Sequence, residues 1–115
     1  MTHLTDKICK VASEGENLSE KDIPHYRAQI HSDWQIQEEK LERKFTFRDL
    51  SEALDYTQKI SDIVEREGHH PEIQLNYGEA RIKFSTQEVE GLHENDFIMA
   101  AKIDRLWKQH QNSSN

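Results

Sequence analysis

Apolar residues recur along this 115-residue chain with two different periods, and the switches between them predict the elements of a fold. Ile23, Tyr26 and Ile30 follow helical spacing. Ser19-Glu20-Lys21-Asp22 precedes them as a hydroxyl cap with an acid three residues on, and Pro24 falls in the first turns, where proline is tolerated. Trp34 and Ile36, then Leu41, Phe45 and Phe47, alternate with period 2 around a polar break at Glu38-Glu39-Lys40, which predicts a short antiparallel hairpin ending near Thr46. Arg43 interrupts its apolar face and argues for an edge strand.

The next segment predicts a long amphipathic helix. Thr46 is read as its cap with Asp49 three residues on, and Phe45 as a staple against Leu50. Leu50, Ala53, Leu54, Ile60, Ile63 and Val64 form its stripe, and Gly68 stops it. Ile73, Leu75 and Tyr77, a break at Gly78, then Ala80, Ile82 and Phe84 predict a second hairpin with one buried face. A final helix from about Glu94 to Gln109 presents Met99, Ala100, Ile103, Leu106 and Trp107, with Glu94 and Asp96 in its positive first turn. His93 falls at its cap, where imidazole is a poor choice. The order helix-β-β-helix-β-β-helix implies an α+β domain: a four-stranded antiparallel sheet with three helices packed on one face.

Neither end is periodic, so residues 1–17 read as a flexible N-terminal tail, 18–109 as one domain and 110–115 as a C-terminal tail. The 15 Lys+Arg against 22 Asp+Glu give a net charge of −7, which opposes direct nucleic-acid binding. No run approaches the roughly 18 to 20 apolar residues of a membrane span, and the N-terminus has no secretion-signal core, so a cytoplasmic protein is expected. Cys9 is the single cysteine, which excludes an internal disulfide.

The chemistry-bearing feature is His69-His70-Pro71, set between the helix-ending Gly68 and the second hairpin. Two readings of the pair are open. Rigid flanks suit a functional pair; a histidine at a helix C-terminus also simply meets the negative end of the dipole, with Pro71 starting a strand. Glu65, four residues before His69, is spaced to orient the imidazole or to form a surface ion pair of no consequence. His3, His25, His31, His93 and His110 show no metal-ligand spacing, so no metal is expected.

Glu65, His69-His70-Pro71, Tyr77 and Asp96 together resemble the active-site pattern of the pterin-4a-carbinolamine dehydratase family, and the likeness runs from about Leu18 to Trp107. The resemblance implies a 4a-hydroxytetrahydropterin substrate that loses water to give the quinonoid dihydropterin, in tetrahydropterin recycling, with no cofactor. It implies His69 as the main proton-transfer residue and His70 as the residue that positions the flat pterin. Pro71, Thr86, Gln87 and Glu88 would form the pocket wall, with Glu65 and Asp96 as further substrate-site residues. Gln87 stands where the family carries its third active-site histidine; an amide cannot shuttle protons near neutrality, but it keeps a donor and an acceptor to hold the leaving hydroxyl. In microbial relatives the tail resembles Cys-x-x-Cys-Glu-Gly-Gly, of which Cys9 and Glu14-Gly15 match, and it is assigned no catalytic part.

The family also implies a homodimer or homotetramer, for which the exposed sheet face, Trp34 and the stripe ending at Trp107 offer apolar material; the same aromatics equally suit the monomer core. The alternative function is an oligomeric protein-binding module, transcription-cofactor-like or assembly-factor-like, with a weakened site.

Overall fold

The computed structural model describes residues 4–9, 18–86 and 91–113. A one-turn 3-10 helix, Leu4–Asp6, precedes α1 (Ile23–Arg27), β1 (Gln35–Gln37), β2 (Lys40–Thr46), α2 (Leu50–Glu67), β3 (Glu72–Asn76), β4 (Glu79–Phe84) and α3 (Glu94–Ser113). The strands form one antiparallel sheet in the order β1-β2-β4-β3. The predicted α+β order of three helices and four strands is therefore the observed one.

Register explains the two faces of the sheet. Leu41, Arg43 and Phe45 of β2 pair with Phe84, Ile82 and Ala80 of β4, and all six side chains are buried beneath the helices. The intervening positions carry Glu42 opposite Lys83 and Lys44 opposite Arg81. Ion pairs link Lys83 to Glu42 and Glu72, and Lys44 to Glu79. The outer face is therefore charged, which corrects the expectation that it offers apolar material.

Arg43 does not mark an edge. β2 is internal, and the guanidinium is buried because α3 supplies a counter-ion: Nη1 lies 2.6 Å from Asp104 Oδ1. Asp104 also accepts from Trp34 Nε1 at 2.7 Å and from the His31 amide at 2.8 Å. This carboxylate ties the approach to β1, the inner sheet and α3 into one network. Trp34 is fully buried and belongs to the monomer core.

The β1–β2 turn places Glu38 (φ 50°) and Glu39 (φ 62°) in the left-handed region that a two-residue hairpin favours but a side chain does not. Ser19 Oγ accepts the Asp22 amide at 3.3 Å in the turn that precedes α1, but the cap of the helix is Asp22, with no side-chain capping bond, and the helix is only five residues long.

α2 begins later than predicted. Thr46 still belongs to β2, and the cap is Asp49, which accepts the Glu52 amide at 2.9 Å while Glu52 reaches back to the Arg48 amide. Phe45 is a core residue, not a staple. Ala53, Tyr56, Ile60, Ile63 and Val64 face the core, whereas Leu50 and Leu54 are 42% and 49% exposed, so the buried stripe is narrower than predicted. Gly68, at φ 73°, ends the helix as predicted, donating to the Val64 carbonyl.

α3 is the central helix. Phe97 to Ala101 are buried in unbroken succession because the sheet, α2, α1 and the N-terminal segment together surround its first turns. It runs to Ser113, beyond the expected end near Gln109, and His110 joins the rings of Phe47, Tyr56 and Trp107. The stretch read as an N-terminal tail contributes Leu4 to the core.

Candidate functional site

Three local structures converge at one end of the sheet, where α2 hands over to β3. The left-handed Gly68 turns the chain out of α2, and Pro71 leads into β3, so His69 is held between two fixed elements. Its ring stacks on Phe84 at 5.7 Å, with 10° between the planes. Its Nε2 lies 2.7 Å from Asp96 Oδ1. His70, next in the chain, is exposed.

Asp96 sits in the first turn of α3 and is fully buried. Its second oxygen accepts the His93 amide at 2.9 Å and the Thr86 hydroxyl at 3.1 Å. His93 turns out to be a working cap: its Nδ1 accepts the Asn95 amide at 2.9 Å while Asp96 reaches back to the His93 amide. The pair is a reciprocal cap related to the capping box, with imidazole serving the N2 amide in place of a hydroxyl on N3. One carboxylate thus closes the helix start and faces His69.

A carboxylate oxygen only accepts, so Oδ1 takes the Nε2–H of the ring. That hydrogen bond fixes the tautomer: Nε2 bears hydrogen and Nδ1 is left with its lone pair. With Nε2 bearing hydrogen, a second proton on the ring has only Nδ1 to go to. The dyad therefore supplies a nitrogen able to accept or deliver a proton, with the other nitrogen locked.

A cleft of about 430 Å³ opens beside it, lined by His69, His70, Pro71, Glu72, Lys40, Lys83 and Ser85 together with Gly68. That volume is within the about 300–1,000 Å³ typical of small-molecule sites. Its side chains offer ammonium and hydroxyl donors and a carboxylate acceptor.

The sequence-derived site residues fare unequally. His69, His70 and Pro71 are together at the cleft, and Asp96 is in contact with His69. Thr86 is not on the cleft wall; it is buried and serves Asp96. Glu65 is exposed and forms no ion pair with His69 among the described residues, so Asp96 does the orienting expected of it. Tyr77 is 78% exposed in the turn at the far end of the sheet, away from the histidines. Gln87, Glu88 and Glu14-Gly15 lie outside the described residues. Lys40, Lys83 and Ser85 were missed because β2, β3 and β4 bring them together only through strand pairing.

Comparison with known proteins follows the same outline. The family model described as pterin 4 alpha carbinolamine dehydratase matches residues 16–106. A protein of Alkaliphilus metalliredigens assigned as a pterin-4-alpha-carbinolamine dehydratase is 41% identical over 107 residues, covering 91% of this chain and 96% of that one. A similarly assigned protein of Nitrosococcus oceani is 42% identical over 113 residues, covering 94% and 99%. Among solved structures, the transcriptional coactivator/pterin dehydratase of Brucella melitensis superposes with a TM-score of 0.73 at 26% identity, covering 78% of this chain and 97% of that one. Among the described residues no helix is long and apolar enough to cross a membrane.

Proposed function

Since the chain belongs to the pterin 4 alpha carbinolamine dehydratase family, we propose that it dehydrates a 4a-hydroxytetrahydropterin to the quinonoid dihydropterin, with His69 as the proton-transfer residue. The observation that carries this reading is the 2.7 Å contact of His69 Nε2 with the buried Asp96 at the edge of a cleft. In the reaction the C4a–O bond breaks and the N5 lone pair forms the C=N bond. The departing oxygen takes a proton from Nδ1 of the His69 imidazolium and leaves as water. The N5 proton then passes to His69 and restores it, so the cycle balances with no other reactant.

Asp96 stabilises the imidazolium and keeps Nδ1 as the exchanging nitrogen. His70, Pro71, Lys40, Lys83 and Ser85 are available to hold the bicyclic ring. Gln87, where the family pattern has histidine, keeps a donor and an acceptor with which to hold the leaving hydroxyl. Removing a positioned acid or base costs about 10² to 10⁴ in rate. His69→Ala is therefore expected to slow dehydration at least about tenfold, and Gln87→His to preserve or raise the rate. An unchanged rate in His69→Ala removes catalysis from this site.

The reading includes tetrahydropterin recycling in the cytoplasm and self-association to a dimer or tetramer. Leu50 and Leu54, one turn apart and exposed on α2, support such contact; light scattering that reads monomer alone across concentration removes it. A second reading, a protein-binding module, is favoured by the coactivator designation of the Brucella melitensis relative. It requires a complex that survives His69→Ala.

A further inference from the structure

The two helix ends that form the dyad are both held by the first described segment of the chain. Leu4 is buried in the core. Lys7 Nζ lies 2.7 Å from Glu94 Oε2, and the Tyr26 hydroxyl donates to the same oxygen at 3.0 Å. The Cys9 amide donates to Glu67 Oε1 at 2.8 Å, while Glu67 Oε2 takes the Lys102 ammonium at 3.0 Å. Cys9 Sγ lies 3.9 Å from the Asn95 carbonyl oxygen.

Glu67 is the last residue of α2, two before His69; Glu94 and Asn95 immediately precede Asp96. The segment thus bridges the end of α2 to the beginning of α3, and both partners of the 2.7 Å His69–Asp96 contact are within two residues of a bridged position. Helix ends are the parts of a helix that fray, because their backbone groups lack intrahelical partners. We propose that Leu4–Cys9 is a strap whose role is to position Asp96 against His69, a role that rests on the reading of that pair as catalytic. Its residues touch no cleft-lining side chain in these contacts and act only through the two helix ends.

Two features make the bridge effective. Leu4 anchors it by burial, so the segment is not held by surface charge alone. Glu67 is nearly enclosed and receives an amide and an ammonium on opposite oxygens, which fixes its direction. Loss of the strap frees the first turn of α3 to move relative to Gly68, and a displacement of about 1 Å at a catalytic group is enough to cost on the order of 10² in rate.

The test uses the full-length chain carrying Leu4→Ala/Lys7→Met, with Leu4→Met/Lys7→Arg as the conservative counterpart. Imidazole ¹⁵N shifts of His69 are measured without substrate, alongside kcat, KM and thermal unfolding with a 4a-hydroxytetrahydropterin as probe. In the first variant the His69 nitrogens are expected to move toward those of a free imidazole in tautomeric exchange, and kcat to fall about tenfold with KM changed less than about twofold. The conservative variant is expected to keep the native shifts and kcat. Native His69 shifts in a folded Leu4→Ala/Lys7→Met protein overturn the strap. If that variant does not fold, Leu4→Ala alone, which removes the anchor, gives the same comparison, and native shifts there overturn it equally. Should the wild-type chain itself fail to turn over the pterin, the catalytic reading falls, while the nitrogen shifts still decide the positioning.

Discussion

Replacing Asp96 by Asn isolates the tautomer argument, because it changes one oxygen to an amide at nearly constant volume. The carboxylate accepts from three donors: His69 Nε2–H at 2.7 Å, the His93 amide at 2.9 Å and the Thr86 hydroxyl at 3.1 Å. Asparagine has one oxygen for them. The hydroxyl of Thr86 can turn and become an acceptor, but the His93 amide can only donate, so the asparagine oxygen must stay on the His93 side. Its NH₂ then faces His69 Nε2, and two donors at that distance repel. The ring responds by moving its proton to Nδ1, which removes the lone pair that exchanges with substrate. Loss of the proton-transfer nitrogen in this way is expected to lower kcat by about 10² to 10⁴, equivalent to about 3–5 kcal/mol of barrier. Loss of charge-assisted bonding is expected to lower stability by about 1.5–3 kcal/mol, which a domain with about 5–15 kcal/mol in hand survives. Stopped-flow dehydration of a 4a-hydroxytetrahydropterin reads the rate, and ¹⁵N shifts of His69 read the proton position. A folded Asp96→Asn protein with its His69 proton on Nδ1 and a wild-type rate would refute the assignment of Nδ1 as the working nitrogen.

Other expectations concern the scaffold. Glu38→Asn/Glu39→Gly relieves two left-handed side-chain residues and is expected to raise stability by about 1–3 kcal/mol in urea unfolding; no gain means that the turn is not strained. Asp104→Asn leaves the buried Arg43 guanidinium without its nearest counter-charge and is expected to cost about 2–4 kcal/mol by the same assay. Burial pushes the Cys9 thiol up to about 12, so alkylation at pH 8 should be at least about tenfold slower in the native chain than in urea; equal rates contradict a docked strap. Burial raises the Glu67 carboxyl, but the Cys9 amide and the Lys102 ammonium outweigh it and leave it below its usual value. A lowered carboxyl contributes stability above its unfolded value of about 4.3 that is lost as pH falls through the folded one. The stability gap between wild type and Glu67→Gln is therefore expected at pH 6 and to narrow as the pH falls through the folded value; a gap undiminished in acid refutes the ion pair as its source.

How much of this was legible in the chain depends on the range of the interaction. Period-2 and helical spacing located all four strands and the three helices, because one-sided burial imposes those periods on any amphipathic element. Gly68 signalled the end of α2 because only a residue without Cβ adopts that backbone readily. The same local reasoning misplaced the start of α2, since Thr46 and Asp49 both have capping side chains and only strand pairing of Thr46 with Glu79 decides between them. It also sent Arg43 to an edge, because its counter-ion Asp104 lies 61 residues away.

At the site, His69-His70-Pro71 stood out as a rigidly flanked pair, and the choice of Glu65 as its acid followed from helical spacing. Spacing ends with the helix: Gly68 reverses the chain, so His69 leaves the face that Glu65 occupies and meets Asp96, 27 residues on. The sequence by itself determined the elements, their order and the residue types able to move a proton, because these rest on local periodicity and chemistry. Only the tertiary structure decided which acid meets which imidazole, which ring nitrogen faces it and what the first described residues touch. Those follow from distances between segments far apart in the chain, which the packing of α3 against the sheet sets and no local pattern encodes.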